Sequence, residues 1–179
     1  MLTWKSCSDD GDLAEAILFI LGRRHELGLP YAFETVIGSL YLAIDQGDIM
    51  LCRDAGNRPV AVIVSTLGTD TGEYADVENM EVLIAFTVKE HRGSLLFADG
   101  LARLADRVKA SGVRHVMFYA APQADYRRLF GKFASREDTV EKACGMLDLY
   151  RVSANDLIRY AQTIHRQEKE EHVYSNAKV

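Results

Sequence analysis

Residues Met80 to Leu101, MEVLIAFTVKEHRGSLLFADGL, are the ones best placed to do chemistry. An apolar, β-branched run ends at Thr87-Val88. A charged turn with one glycine follows (Lys89-Glu90-His91-Arg92-Gly93-Ser94), and a helix-period segment then begins. A strand that empties into a helix start leaves backbone N–H groups without acceptors, and the helix dipole adds partial positive charge there. Such a place suits the phosphates of a nucleotide or coenzyme. Arg92 adds a guanidinium able to grip phosphate oxygens, and His91 a second group in the same turn.

The rest of the composition narrows the chemistry. The chain has 179 residues, enough for one domain with a real core. A formal net charge of −5 argues against a nucleic-acid binder driven by bulk electrostatics. Cys7, Cys52 and Cys144 are far apart and form no CxxC pair, so neither a metal site nor a disulfide framework is expected. The N-terminus lacks a basic stretch followed by an apolar core, and the apolar run Leu13–Leu21 is short and broken by Glu15. A cytoplasmic protein without membrane or nucleic-acid partners is the expectation.

The elements that position the turn can be read from periodicity. Ser8-Asp9-Asp10 offers N-cap chemistry, and Leu13, Ile17, Ile20 and Leu21 recur at helical spacing, predicting a helix that ends near His25. Phe33, Val36, Ile37, Leu40, Tyr41 and Ile44 make one apolar stripe of a second helix, closed by Gln46-Gly47. Ile49–Arg53 and Pro59–Leu67 read as a hairpin around Asp54-Ala55-Gly56-Asn57. A polar loop, Gly68 to Glu78, leads to the run Glu81–Val88. A helix marked by Leu95, Leu96, Leu101, Leu104 and Val108 stops at Ser111-Gly112, and Val113–Ala120 is a buried strand. A short helix over Ala124–Phe133, an antiparallel pair Thr139–Cys144 and Met146–Val152, and a helix capped by Ser153 complete the order. The predicted domain covers residues 1–165, with 166–179 a polar tail that frays beyond Ile164.

This order resembles the GNAT superfamily of N-acyltransferases, over roughly Asp10 to Val152. Val88-Lys89-Glu90-His91-Arg92-Gly93 is similar to that family's V-x-P-E-x-R-G turn, and Tyr126-Arg127-Arg128-Leu129-Phe130-Gly131-Lys132-Phe133 to its A-x-x-L-Y-x-K-x-G-F segment. The resemblance implies an α/β fold of the α+β type. Its central sheet would be mixed and mostly antiparallel, flanked by helices and splayed between the two central strands, with a short first strand at Leu2–Trp4. It also implies acetyl-CoA as co-substrate. The pyrophosphate would rest on the amides of residues 91 to 96, with His91, Arg92, Gly93 and Ser94 holding it, and the pantetheine arm would pair with exposed backbone of Phe86 and Val88. Acyl transfer to an amine needs a base, an oxyanion donor and an acid for the leaving thiolate. The family's base position implies Glu81, with Glu78 behind it.

Two residues types depart from the pattern. Leu95 and Phe97 stand where the family's turn carries small residues, and Phe130 stands at the tyrosine used as acid. Tyr126, one helical turn earlier, is the nearest substitute, and Tyr119 another. These departures support an alternative, a catalytically inactive GNAT-fold binding or assembly module. A third reading rests on His25 with the following stretch to Val62, which resembles carrier-protein-dependent, toxin-activating acyltransferases. The acceptor stays open among small molecules and peptide amines, with the acidic Asp70–Glu78 loop suited to a cation. Arg127 and Arg128 are candidates for phosphate or acidic substrate, and the closing hairpin Thr139–Val152 for pairing across a homodimer axis.

Overall fold

A computed structural model of the chain describes residues 2–176, apart from the side chains of Ser94 and of residues 168–176. The elements run β1 (Thr3–Ser6), α1 (Asp10–Gly22), α2 (Phe33–Gln46), β2 (Gly47–Arg53), β3 (Pro59–Leu67), β4 (Asn79–Thr87), α3 (Ser94–Ser111), β5 (His115–Ala120), α4 (Ala124–Phe130), β6 (Ser135–Lys142), β7 (Gly145–Ser153) and α5 (Ala154–Asn176). The strands form one seven-stranded sheet in the order β1-β2-β3-β4-β5-β7-β6. Neighbours are antiparallel except β4 and β5, which run parallel because α3 is the crossover between them. This is the mixed, mostly antiparallel α/β sheet expected.

Local chemistry sets the boundaries. The Asp9 carboxylate accepts the Asp12 amide at 2.9 Å and caps α1, whose first turn carries Asp10 and Asp12 at the positive end of the dipole. The helix stops at Gly22, and the expected extension to His25 is a separate 3-10 turn over Arg24–Glu26. Gly112, with φ of 70°, ends α3 in the left-handed region. In the β2–β3 turn the Asp54 carboxylate accepts the amides of Gly56 and Arg58 at 2.8 and 3.0 Å, closing an Asx-type loop. α5 continues through the tail as far as Asn176 instead of fraying beyond Ile164.

Two cores flank the sheet. Ala16, Ile20, Val36, Leu40 and Ala43 of α1 and α2 pack on one face with Val62, Val64, Leu83, Ile84, Phe86 and Val88. Leu101, Leu104 and Val108 of α3 and Leu157 and Ala161 of α5 pack on the other with Met80, Val116 and Val152. The apolar stripe read along α2 is split. Val36 and Leu40 are buried, whereas Phe33, Ile37, Tyr41 and Ile44 are exposed. Among the described residues no helix is long and apolar enough to cross a membrane.

Candidate active site

The site begins where the sheet comes apart. β4 and β5 pair only from Asn79/His115 to Val82/Phe118. Beyond that, β5 stays on β7 through Tyr119 and Ala120, while β4 stays on β3 out to Thr87. The divergence starts at a bulge. Val64 pairs with Ile84 but Ser65 with Val82, so Leu83 is the extra residue, and Leu83 and Ile84 both turn into the α1/α2 core. A bulge bends its strand and raises the local twist, which carries the end of β4 away from β5. The wedge opens into a cavity of about 940 Å³ bordered by Leu83–Thr87, Arg92, Gly93, Phe97, Tyr119 and Tyr126, with Tyr160 and Ile164 of α5 at its far wall.

Hydrogen bonding decides which backbone faces the wedge. The Val88 amide donates to the Val60 carbonyl at 2.9 Å, and the Val88 carbonyl accepts the His91 amide at 3.0 Å. Antiparallel alternation then commits Phe86, paired with Val62, to β3 as well. Phe86 and Val88 therefore do not present free backbone, and that expectation is corrected by one residue. Ala85 and Thr87 turn their amides toward the opened side. The Phe86 side chain lies in the α1/α2 core, 5.8 Å from the Phe19 ring centroid.

At the mouth, α3 starts at Ser94 with Gly93 as its N-cap in extended backbone, with no capping hydrogen bond from a side chain among the described residues and no acid in its first turn. The amides of residues 94 to 96 thus lack intrahelical acceptors. A Cβ at Gly93 would meet open space, so nothing fills this cradle from that position. Leu96 is buried in the α1/α2 core, and Phe97 packs on the α3/α5 core and forms part of the cavity wall. Arg92 borders the cavity, where its Nε donates to the Thr87 carbonyl at 3.0 Å. His91 sits half-buried in the 3-10 turn Lys89–His91, outside the cavity wall, and the Ser94 side chain lies outside the described residues.

Glu81 lies in the paired stretch one residue before the strands part, opposite Met117, and does not border the cavity. Met80 is in the α3/α5 core, so strand alternation turns Glu81 toward the α1/α2 side. It is 4% exposed. One carboxylate oxygen accepts the Asp70 amide at 2.6 Å, and burial pushes its pKa up to about 7, the nearby Asp70 charge adding to the rise. Asp70 in turn accepts the Tyr119 hydroxyl at 3.2 Å and is ion-paired with Lys142 of β6. Tyr31 and Tyr74 close the surroundings, their phenols pushed up first by burial and then by charges that include Glu81. Lys142, Tyr31 and Tyr74 escaped the sequence reading, since they lie on three separate segments and only the acidic loop gave a signal.

Solved structures share this fold. A GNAT-family acetyltransferase from Staphylococcus aureus Mu50 superposes with a TM-score of 0.63 at 10% identity, over 86% of this chain and 99% of that one. Ribosomal-protein-S5-alanine acetyltransferase from Vibrio fischeri gives 0.64 at 10% identity, over 87% and 94%. Spermidine N-acetyltransferase from Vibrio cholerae, solved in complex with CoA and spermine, gives 0.63 at 14% identity, over 88% and 98%. The chain has the GNAT fold. No protein-family model matches the sequence, and no curated protein matches it either.

Within this GNAT fold, Tyr126 of α4 lines the cavity, its hydroxyl oxygen 3.5 Å from where a Cβ on Gly28 would stand. It therefore spans from α4 to the α1–α2 connection. Phe130 has its ring 5.0 Å from Phe118 and 5.4 Å from Tyr150, packed as an apolar wall. Arg127 is not free for phosphate. Its Nε and Nη2 donate to Asp148 at 2.6 and 3.0 Å, and Arg128 pairs with Asp125. His25 is exposed on its 3-10 turn and does not border the cavity. His115 faces Asn79 at 3.2 Å and Arg151 at 3.1 Å, and Glu78 is exposed ahead of β4.

Proposed function

We propose that the chain is an acyl-CoA-dependent N-acyltransferase that moves an acetyl group from acetyl-CoA to a primary amine. The observation that carries this reading is the wedge between β4 and β5, with α3 amides that lack intrahelical acceptors at its mouth and the buried carboxylate of Glu81 one residue behind its apex. The structural neighbours named as acetyltransferases, one of them holding CoA and spermine, support the donor.

The residues divide the work by position. The α3 amides and Arg92 serve the pyrophosphate, and the backbone of Ala85 and Thr87 serves the amide-like pantetheine arm as an added strand. Glu81, with a pKa near neutrality, takes the ammonium proton directly or through a water. The freed amine attacks the thioester carbonyl, a C–N bond forms, the C–S bond breaks, and the departing thiolate takes a proton. Tyr126 is the proposed donor of that proton. Tyr119, already donating to Asp70, is the second choice.

Release of CoA thiol over a panel of primary amines tests the reading. Turnover is expected only with both substrates, and Glu81→Gln is expected to lower kcat at least about tenfold. Coenzyme binding with no turnover for any amine would instead support a GNAT-fold binding module. The phenyl ring of Phe130 at the acid position favours that second reading.

A further inference from the structure

On the α1/α2 side of the sheet an ammonium group is already bound. Lys142 projects from the last residue of β6, ion-pairs with the Asp70 carboxylate, and holds Nζ 4.7 Å from the centroid of the Tyr119 ring. The Tyr119 hydroxyl donates to the same carboxylate, and the Asp70 amide donates to Glu81. One loop residue thus connects a cation-holding pair to the buried carboxylate assigned as base. A carboxylate facing an aromatic ring is the chemistry that recognises alkylammonium ions.

We infer that Asp70 and Tyr119 form the subsite for the acceptor's primary ammonium group, and that Lys142 occupies it as a tethered stand-in until an acceptor displaces it. The inference rests on the acyltransferase reading above and makes Lys142 a specificity-determining residue of that reaction.

The pair is built to be exchanged. Lys142 is 34% exposed and Asp70 40%, so both reach water, and an ion pair so exposed holds weakly. Lys142 is also the last residue before the β6–β7 turn, where Gly145 takes φ of 110°. Its backbone is anchored only on the β7 side, since β6 is the edge strand of the sheet. Tyr31 lines the same cavity as Tyr119, and the loop that carries Asp70 holds further acids at Glu73, Asp76 and Glu78. Of these, Asp76 is occupied by Thr69 and Asn79. A tethered competitor lowers apparent affinity by the fraction of time the site is free. An exposed ion pair plus a cation–π contact leaves that fraction at roughly one in ten.

Butylamine titrated into the full chain without coenzyme, followed by amide chemical shifts, tests the subsite. Lys142→Met is expected to tighten butylamine binding roughly tenfold, and Lys142→Arg to leave it as in the wild type. Asp70→Asn in the Lys142→Met background is expected to abolish the gain. Equal affinity in wild type and Lys142→Met would overturn the inference, as would butanol binding as well as butylamine. Lys142→Gln repeats the test if the Met variant fails to fold. Acetyl-CoA binding is measured in a separate titration. A failed amine arm with intact coenzyme binding discards the subsite alone, whereas failed coenzyme binding discards the acyltransferase reading.

Discussion

Glu81→Gln separates the electrostatics of the site from its packing. The carboxyl of Glu81 is 4% exposed and raised by burial from 4.5 to about 7. A folded-state pKa above the unfolded one means that the folded protein binds the proton more tightly. Its contribution to stability is therefore full below pH of about 4.5 and is lost as pH rises through about 7. Each tenfold change in proton affinity is worth about 1.4 kcal/mol, so ionising Glu81 costs the folded state about 3 kcal/mol at high pH. Glutamine stays neutral and keeps an oxygen for the Asp70 amide. Between pH 5 and pH 8.5 the stability of Glu81→Gln relative to wild type is expected to rise by about 2–3 kcal/mol. For a chain of this length that is a change in the Tm difference of roughly 4–12 °C. Urea unfolding at the two pH values measures it. Parallel stability–pH curves for the two proteins would refute a buried, proton-retaining Glu81.

The same group sets a kinetic expectation. kcat/KM for an amine that stays fully protonated across the assay range should rise with pH through about 7 and lose that limb in Glu81→Gln, as a pH–rate profile would show. Asp148, fully buried and gripped by Arg127 and Thr139, has its pKa pulled down to about 2, first by the Arg127 hydrogen bonds. Its contribution is present above pH of about 4 and lost as pH falls through about 2, and Asp148→Ala is expected to cost about 2–4 kcal/mol in urea unfolding at pH 7. Gly47→Ala would place a Cβ 1.9 Å from the Ser65 carbonyl oxygen, backbone that cannot swing away, and is expected to cost at least about 2 kcal/mol by the same assay.

Order and element type were legible because they rest on local signals. Asp9 capping α1, Gly112 ending α3 and the Asp54–Arg58 turn each act within a few residues, so the sequence states them directly. Glu81 could be picked out because the GNAT resemblance implies a base at the start of the central strand. The register of the exposed backbone could not. Whether Phe86 or Ala85 faces the wedge depends on the Val88–Val60 bond and on the bulge at Leu83, both set by pairing with β3. Arg127 misled for the same reason, since Asp148, which occupies it, is 21 residues further along the chain. The α2 stripe misled differently. Periodicity shows that a helix has apolar positions, but Phe33, Ile37, Tyr41 and Ile44 lie on the side the sheet does not cover. Lys142 was invisible because only the fold brings β6 beside the Asp70 loop.

Calorimetric titration of the protein with acetyl-CoA tests the central claim most directly. The open wedge and the free amides at the start of α3 predict one site per chain with a dissociation constant in the micromolar range. Arg92→Ala is expected to weaken it about tenfold, as befits one charge-assisted phosphate contact. No binding at millimolar coenzyme would contradict the account and leave the GNAT fold of this chain without its proposed donor.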